Sequence, residues 1–209
     1  MTRHRLADLL DEAARGRFPP ADERVEVLPA PPGAAMAVVA FTGHHVVAAD
    51  VAADWVRARL PDGDLLAPMS PAFIGALGKR IGRRDDGVDV VLAATGLEGA
   101  AELAEVADCH HPRAVRAQGH RRDVRVFEAE AGAATVILGH GLALRAEVAV
   151  EVDEGARGRG IAARALQEAR RLVGPGEVVF AQVSPGNAAS LRAFLRAGFE
   201  PIGCEVLFF

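Results

Sequence analysis

Between residues 145 and 173 an alternating stretch, a basic glycine turn and a helical stretch follow one another directly, an order that few folds accommodate. Arg145 to Val152 sets Ala146, Val148, Val150 and Val152 against Arg145, Glu147, Ala149 and Glu151, the period of a strand. Arg157-Gly158-Arg159-Gly160-Ile161-Ala162 comes next. From about Gly158 to Val173, the residues Ile161, Ala165, Ala169 and Leu172 recur at helical spacing, and Gly174-Pro175-Gly176 ends the run. A helix start leaves its first amides unpaired and carries partial positive charge. Glycines there let the backbone approach an anion, and flanking arginines add charge-assisted bonds. Taken alone, such a turn is an ordinary connection about as often as a phosphate site.

Composition narrows the classes. Half of the 209 residues are apolar, enough for one large core or two small ones. The formal net charge of −4 provides no general field for phosphate backbones, so no nucleic-acid partner is expected. Two cysteines, Cys109 and Cys204, are too few for a disulfide framework. The opening residues lack the apolar core of a signal peptide, and the longest apolar run, Ala34 to Phe41, is too short to span a bilayer. The expectation is a soluble cytoplasmic protein without a membrane partner. Cys109-His110-His111 has no second ligand cluster at metal spacing, so no metal is expected. A dinucleotide reading of Gly158-x-Gly160-x-x-Ala163 fails because the next strand ends in Gln182-Val183-Ser184 rather than at an acidic ribose ligand.

Along the chain, helix is expected at Leu6 to Arg15 and a short strand at Val25 to Leu28. Met36 to Phe41 and His45 to Ala49 read as a hairpin with His44-His45 exposed at its tip. Helices follow at Val51 to Leu60, carrying Trp55 in its apolar face, and at Pro71 to Ile81, where Ser70 caps and Pro71 takes the first position. The charged break from Arg83 to Gly87 divides an N-terminal α/β segment, residues 1–85, from a second unit, 86–209. That unit begins with a strand at Val88 to Ala94 and helices at Leu97 to Ala107 and Pro112 to Gln118. A hairpin of Val124–Ala129 with Ala134–Leu138 precedes the strand, turn and helix described above. The chain continues with a strand at Val178 to Val183, then a helix capped by Asn187 that carries Leu191, Phe194 and Leu195 and stops at Gly198. It closes on a strand ending Val206-Leu207-Phe208-Phe209. Arg113, Arg116, His120, Arg121 and Arg122 read first as a solvated basic face, and second as a surface that helps recruit an anionic acceptor.

The succession of strand, Arg-x-x-Gly-x-Ala, helix, strand, Asn-x-x-Ser, helix and Gly-Phe resembles the GNAT acetyltransferase superfamily over about Val88 to Phe209, specifically so from Glu147 onward. The resemblance implies an α/β fold, a central mixed and mostly antiparallel sheet flanked by helices, here with the N-terminal α/β segment added. It implies that Arg157, Gly158, Arg159, Gly160, Ile161 and Ala162 cradle the pyrophosphate of acetyl-CoA, and that backbone at Val150 and Val152 polarises the thioester. Asn187, Ser190 and Phe194 then line the coenzyme site. The implied reaction is direct attack by a primary amine of a small molecule or peptide, without a covalent enzyme intermediate. Glu147 and Glu151 are the candidate bases, Glu147 by way of a one-residue bulge; both also fit as plain solvated carboxylates. His140 is a further candidate. Phe194 stands where many members carry a tyrosine that protonates the leaving thiolate, and this chain has no tyrosine. That departure keeps open a second reading, a non-catalytic acyl-CoA-binding sensor. The apolar last strand offers an edge for pairing with a second copy in a homodimer.

Overall fold

The computed structural model describes residues 3–107 and 110–209. Its strands are β1 (Arg24–Leu28), β2 (Met36–Phe41), β3 (His44–Ala48), β4 (Asp85–Thr95), β5 (Ala104–Glu105), β6 (Arg122–Ala129), β7 (Ala134–His140), β8 (Ala146–Val152), β9 (Val178–Val183) and β10 (Glu200–Phe208). Its helices are α1 (Arg5–Ala13), α2 (Ala53–Arg57), α3 (Pro71–Ile81), α4 (Pro112–His120), α5 (Ile161–Arg170) and α6 (Ala188–Arg196). The ten strands form one open sheet in the order β1-β3-β2-β10-β4-β9-β8-β7-β6-β5. Only β1·β3 and β8·β9 are parallel; the other neighbours are antiparallel.

Alternation along the strands divides the core between the two faces. Leu92, Ala94, Val179 and Ala181 pack beneath α5 and α6 with Ile161, Ala165 and Phe194. Their neighbours Val91, Ala93, Val178 and Phe180 turn to the opposite face, where Leu6, Leu9 and Leu10 of α1 cover them. On that same face Ala114 and Ala117 seat α4 against Val126 and Ile137. Val38, Val47, Val206 and Phe208 take Phe73, Ile74 and Leu77 of α3. The charged break at Arg83–Gly87 leads straight into β4. That strand lies between β9 and β10, so both parts of the chain build one sheet.

Several local expectations are corrected. Leu97 to Ala107 is not a helix. Leu97 N–H donates to Arg170 C=O at 3.1 Å, Glu102 N–H to Glu168 Oε2 at 2.8 Å and Val106 N–H to Val126 C=O at 2.8 Å. Tertiary partners take the donors that a helix needs, and Ala104–Glu105 becomes the edge strand. The helix expected at Val51–Leu60 shrinks to the five residues of α2. His44 and His45 are buried rather than exposed, because the turn is made by Thr42 and a left-handed Gly43 and both histidines already belong to β3. The last strand has no free edge, since β10 pairs with β2 on one side and β4 on the other; the dimer edge expected there is used internally. Cys109 lies outside the described residues.

Candidate active site

Parallel strands hold together only while their registers stay matched, and β8 and β9 part early. They pair at Ala146 with Val179 and Glu147 with Phe180, and no further. The other edge of β8 stays on β7 through Val152 without a register shift, so the expected bulge is absent. Asp153 N–H continues that ladder to Ala133 C=O at 3.1 Å. Alternation then puts the backbone groups of Val150 and Val152 on the edge that β9 has left. Their carbonyls accept from side chains instead: Val150 from Arg113 Nη1 at 3.5 Å and Val152 from Arg157 Nε at 3.2 Å. The result is a wedge-shaped opening between two strands, with the amides of Val150 and Val152 outside any strand pairing on one wall.

At the wide end of this wedge stands the start of α5. Gly158 and Gly160 adopt φ of 79° and 76°, a conformation that costs other residues about 1–2 kcal/mol. A methyl group on Gly158 would meet nothing within 4 Å, so open space borders the turn. Gly160 is the N-cap and supplies no side chain. Among the described residues, α5 is the one helix of nine or more residues without a side-chain cap; His4, Ser70, His111 and Asn187 cap the others. Its first amides therefore await an acceptor, in the end of the dipole that favours negative charge. Arg157 and Arg159 are exposed beside it, while Ile161 anchors the first turn in the core and Ala162 is half-buried. Uncapped amides, open space over a glycine and two arginines suit a pyrophosphate.

The two carboxylates of β8 have different surroundings. Glu147 is buried, its side chain 3% exposed. Arg145 Nε donates to Oε1 at 2.8 Å, Leu142 N–H to the same oxygen at 3.2 Å, and Arg121 Nε lies 2.9 Å from Oε2. Burial would raise this carboxyl, but the charges of Arg145 and Arg121 outweigh it and hold Glu147 below the usual range. A carboxylate so committed is a poor proton acceptor. Arg145 also forks onto Glu205 of β10, and Arg121 Nη2 reaches Gln182 Oε1 at 3.1 Å, closing a buried network across α4, β8, β9 and β10. Glu151, in contrast, is half-exposed on the same face and meets Arg113 Nε at 3.4 Å. His140 lies at the other end of the strands, 3.3 Å from Asp123 and away from the wedge.

On the far wall, Asn187 Oδ1 accepts Ser190 N–H at 3.1 Å, so these two residues meet in the cap of α6. Phe194 is buried and stacks edge-on against Phe199 at 5.0 Å between ring centres. The expected basic face is not uniform, since Arg121 is built into the interior while Arg113 and Arg116 bridge to Glu151 and Asp86. Sequence reading passed over Arg145, Glu205 and Asp89. The available signals were Arg145 and Glu147 sharing one face of a strand, and a lone glutamate within an apolar final strand.

Residues 107–199, which contain α4, the wedge and the glycine turn, match the model of the acetyltransferase (GNAT) family. Among solved structures, the chain is similar to a GCN5-related N-acetyltransferase from Kribbella flavida, at 19% identity over 65% of this chain and 62% of that one, with a TM-score of 0.41. It is similar to an acetyltransferase from the GNAT family of Colwellia psychrerythraea, at 12% identity over 66% and 62%, TM-score 0.39. A GCN5-related N-acetyltransferase from Sphaerobacter thermophilus gives 20% identity over 66% and 56%, TM-score 0.38. The chain thus spans less than two thirds of these structures. No curated protein matches it.

Proposed function

We propose that this protein, whose residues 107–199 match the model of the acetyltransferase (GNAT) family, transfers an acetyl group from acetyl-CoA to a primary amine of a small molecule or peptide. The observation that carries this reading is the early divergence of β8 from β9 with the uncapped start of α5 at its mouth. Arg157, Arg159 and the amides of Ile161 and Ala162 hold the pyrophosphate, and Gly158 and Gly160 give it room. The amides of Val150 and Val152, which no strand takes up, face the thioester and donate to the charge that develops on its oxygen.

Attack by the neutral amine forms the nitrogen–carbon bond as the carbon–sulfur bond breaks, the nitrogen releases its surplus proton to solvent, and coenzyme A leaves as thiolate. The ammonium gives up its proton first, and Glu151, half-exposed at the wedge, is the carboxylate placed to take it directly or through water. Glu147 is assigned to structure instead. With Phe194 buried in the core and lacking a hydroxyl, the thiolate is protonated by solvent. The same absence supports the second reading, a sensor that binds acetyl-CoA without consuming it.

Calorimetric titration with acetyl-CoA, with NADH as control, tests the site. Micromolar binding that disappears in Arg157→Glu/Gly160→Asp while the fold survives supports it; retained affinity in the folded double variant sinks it. Thiol release in the presence of amines then separates the enzyme from the sensor.

A further inference from the structure

At the end of β8 and β9 away from the wedge lies a second opening, a cleft of about 510 Å³, within the size range of small-molecule sites. Arg15 beyond α1, Leu144 ahead of β8 and Glu177 ahead of β9 line it, and its floor includes the buried Arg145 and Phe180. Ala143 and Leu144 are left-handed, with φ of 53° and 62°, a strained backbone for residues that carry a Cβ. That loop leaves the apolar Leu144 side chain exposed at the cleft instead of in the core. Most charges around the cleft are matched: Arg3 pairs with Asp11, His140 with Asp123, and Arg145 with Glu147 and Glu205. Arg15 and Glu177 differ, since among the described residues neither makes an ion pair. Each is held by one backbone bond, Arg15 Nη2 donating to Gly176 C=O at 3.1 Å and Glu177 Oε2 accepting from Gly174 N–H at 3.0 Å. The other guanidinium donors and the second carboxylate oxygen keep their capacity. Two opposite charges are thus anchored beside one another in one cleft without neutralising each other.

We propose that this cleft is a regulatory site for a free amino acid with an apolar side chain. Its carboxylate lies on Arg15, its ammonium on Glu177 and its side chain on Leu144. A zwitterion satisfies both fixed charges, whereas a simple anion or cation satisfies one and leaves the other. The path to the wedge is short. Arg145 holds Glu147, and Glu147 with Phe180 is the last β8–β9 pair before the strands part. An occupant that ties Arg15 to Glu177 and packs on Leu144 steadies the starts of both strands, and with them the amides that the parting frees. Occupancy therefore tightens acetyl-CoA binding, and acetyl-CoA tightens amino-acid binding by the same factor. The site stands on the cleft itself; the coupling rests on the acetyl-transfer reading.

Calorimetric titration of the whole protein with L-norvaline, valerate and butylamine tests the site, in wild type, Arg15→Gln and Glu177→Gln. Norvaline should bind, and valerate and butylamine, which each lack one of its charges, should bind at least tenfold more weakly. Either substitution should weaken norvaline at least tenfold. Glu177→Gln keeps an oxygen for Gly174 N–H, so it should unfold at the wild-type midpoint and separate lost binding from lost fold. With norvaline saturating, acetyl-CoA should bind at least threefold more tightly to wild type and gain nothing in Glu177→Gln. Absence of norvaline binding overturns the inference, as does binding that both variants retain, which places the amino acid elsewhere. Norvaline binding that leaves acetyl-CoA affinity unchanged overturns the regulatory role. Failure of acetyl-CoA to bind at all removes the acetyl-transfer reading instead, while the norvaline titrations still decide the site.

Discussion

Arg145 and Glu205 lie sixty positions apart in the chain and meet as a buried fork, Nη1 to Oε2 at 3.0 Å and Nη2 to Oε1 at 2.5 Å. Their side chains are 1% and 0% exposed. The pair ties the last strand to the residue just before β8, and through Glu147 it reaches the point where β8 and β9 separate. A buried pair adds little over an apolar isostere, but breaking one costs heavily because a charge is left without a partner. Glu205→Leu alone should therefore destabilise the protein by about 3–5 kcal/mol in urea unfolding. Arg145→Met/Glu205→Leu should recover part of that loss, since Arg121 still serves Glu147. Strictly additive losses would show that the fork is not a coupled unit.

Gly141 has a φ of −105°, outside the left-handed region that favours glycine. The restriction is spatial. A Cβ there would run into the Glu147 carboxylate, which has no room to retreat between two arginines. Gly141→Ala should cost about 1–3 kcal/mol by crowding and should weaken acetyl-CoA binding as Glu147 shifts the start of the wedge. Gly158→Ala meets nothing within 4 Å and pays only for its left-handed backbone, about 1–2 kcal/mol. Equal penalties in the two variants would remove the steric argument.

These contacts mark the boundary of what local sequence reveals. Ser70 before Pro71 and Asn187 before its helix announced their caps, and the side-chain oxygen of each accepts a hydrogen bond from a backbone amide as expected. The alternation of Arg145–Val152 announced a strand with its charged face, but not that this face is interior, because Arg121 and Glu205 arrive from distant segments. Helix propensity misled at Leu97–Ala107, where neighbours from α5 and β6 claim the backbone. The insertion of β4 between β9 and β10 has no local signature, and it sets Asp89 beside Glu205.

Stability against pH should carry an imprint of Asp89. Its folded pKa, about 6, lies above the ordinary aspartate value of 3.8. A carboxyl shifted upward contributes stability that is present below its unfolded pKa and lost as pH rises through the folded value. Between about pH 4 and 6 the Asp89 contribution therefore falls with rising pH. Glu147, held low by its arginines, acts in the opposite sense, contributing above its unfolded pKa and losing that contribution on acidification. Thermal midpoints across pH 4–7 should show Asp89→Asn gaining on wild type as pH rises. A constant difference would mean that Asp89 is not the group titrating there.

Asn187 serves the α6 cap through Oδ1, and the coenzyme assignment asks a second duty of its amide nitrogen. The two duties separate chemically. Asn187→Ala removes both and should cost about 0.5–2 kcal/mol of stability by uncapping the helix. Asn187→Asp keeps the cap, since aspartate accepts the Ser190 N–H equally well and suits the positive end of the helix. It also replaces a neutral donor with a negative charge. If the amide faces the coenzyme, Asn187→Asp should unfold at the wild-type midpoint yet bind acetyl-CoA at least tenfold more weakly by calorimetry. Wild-type affinity in that variant would confine Asn187 to the cap, and the coenzyme would then be held from the α5 side alone, by Arg157, Arg159 and the first-turn amides.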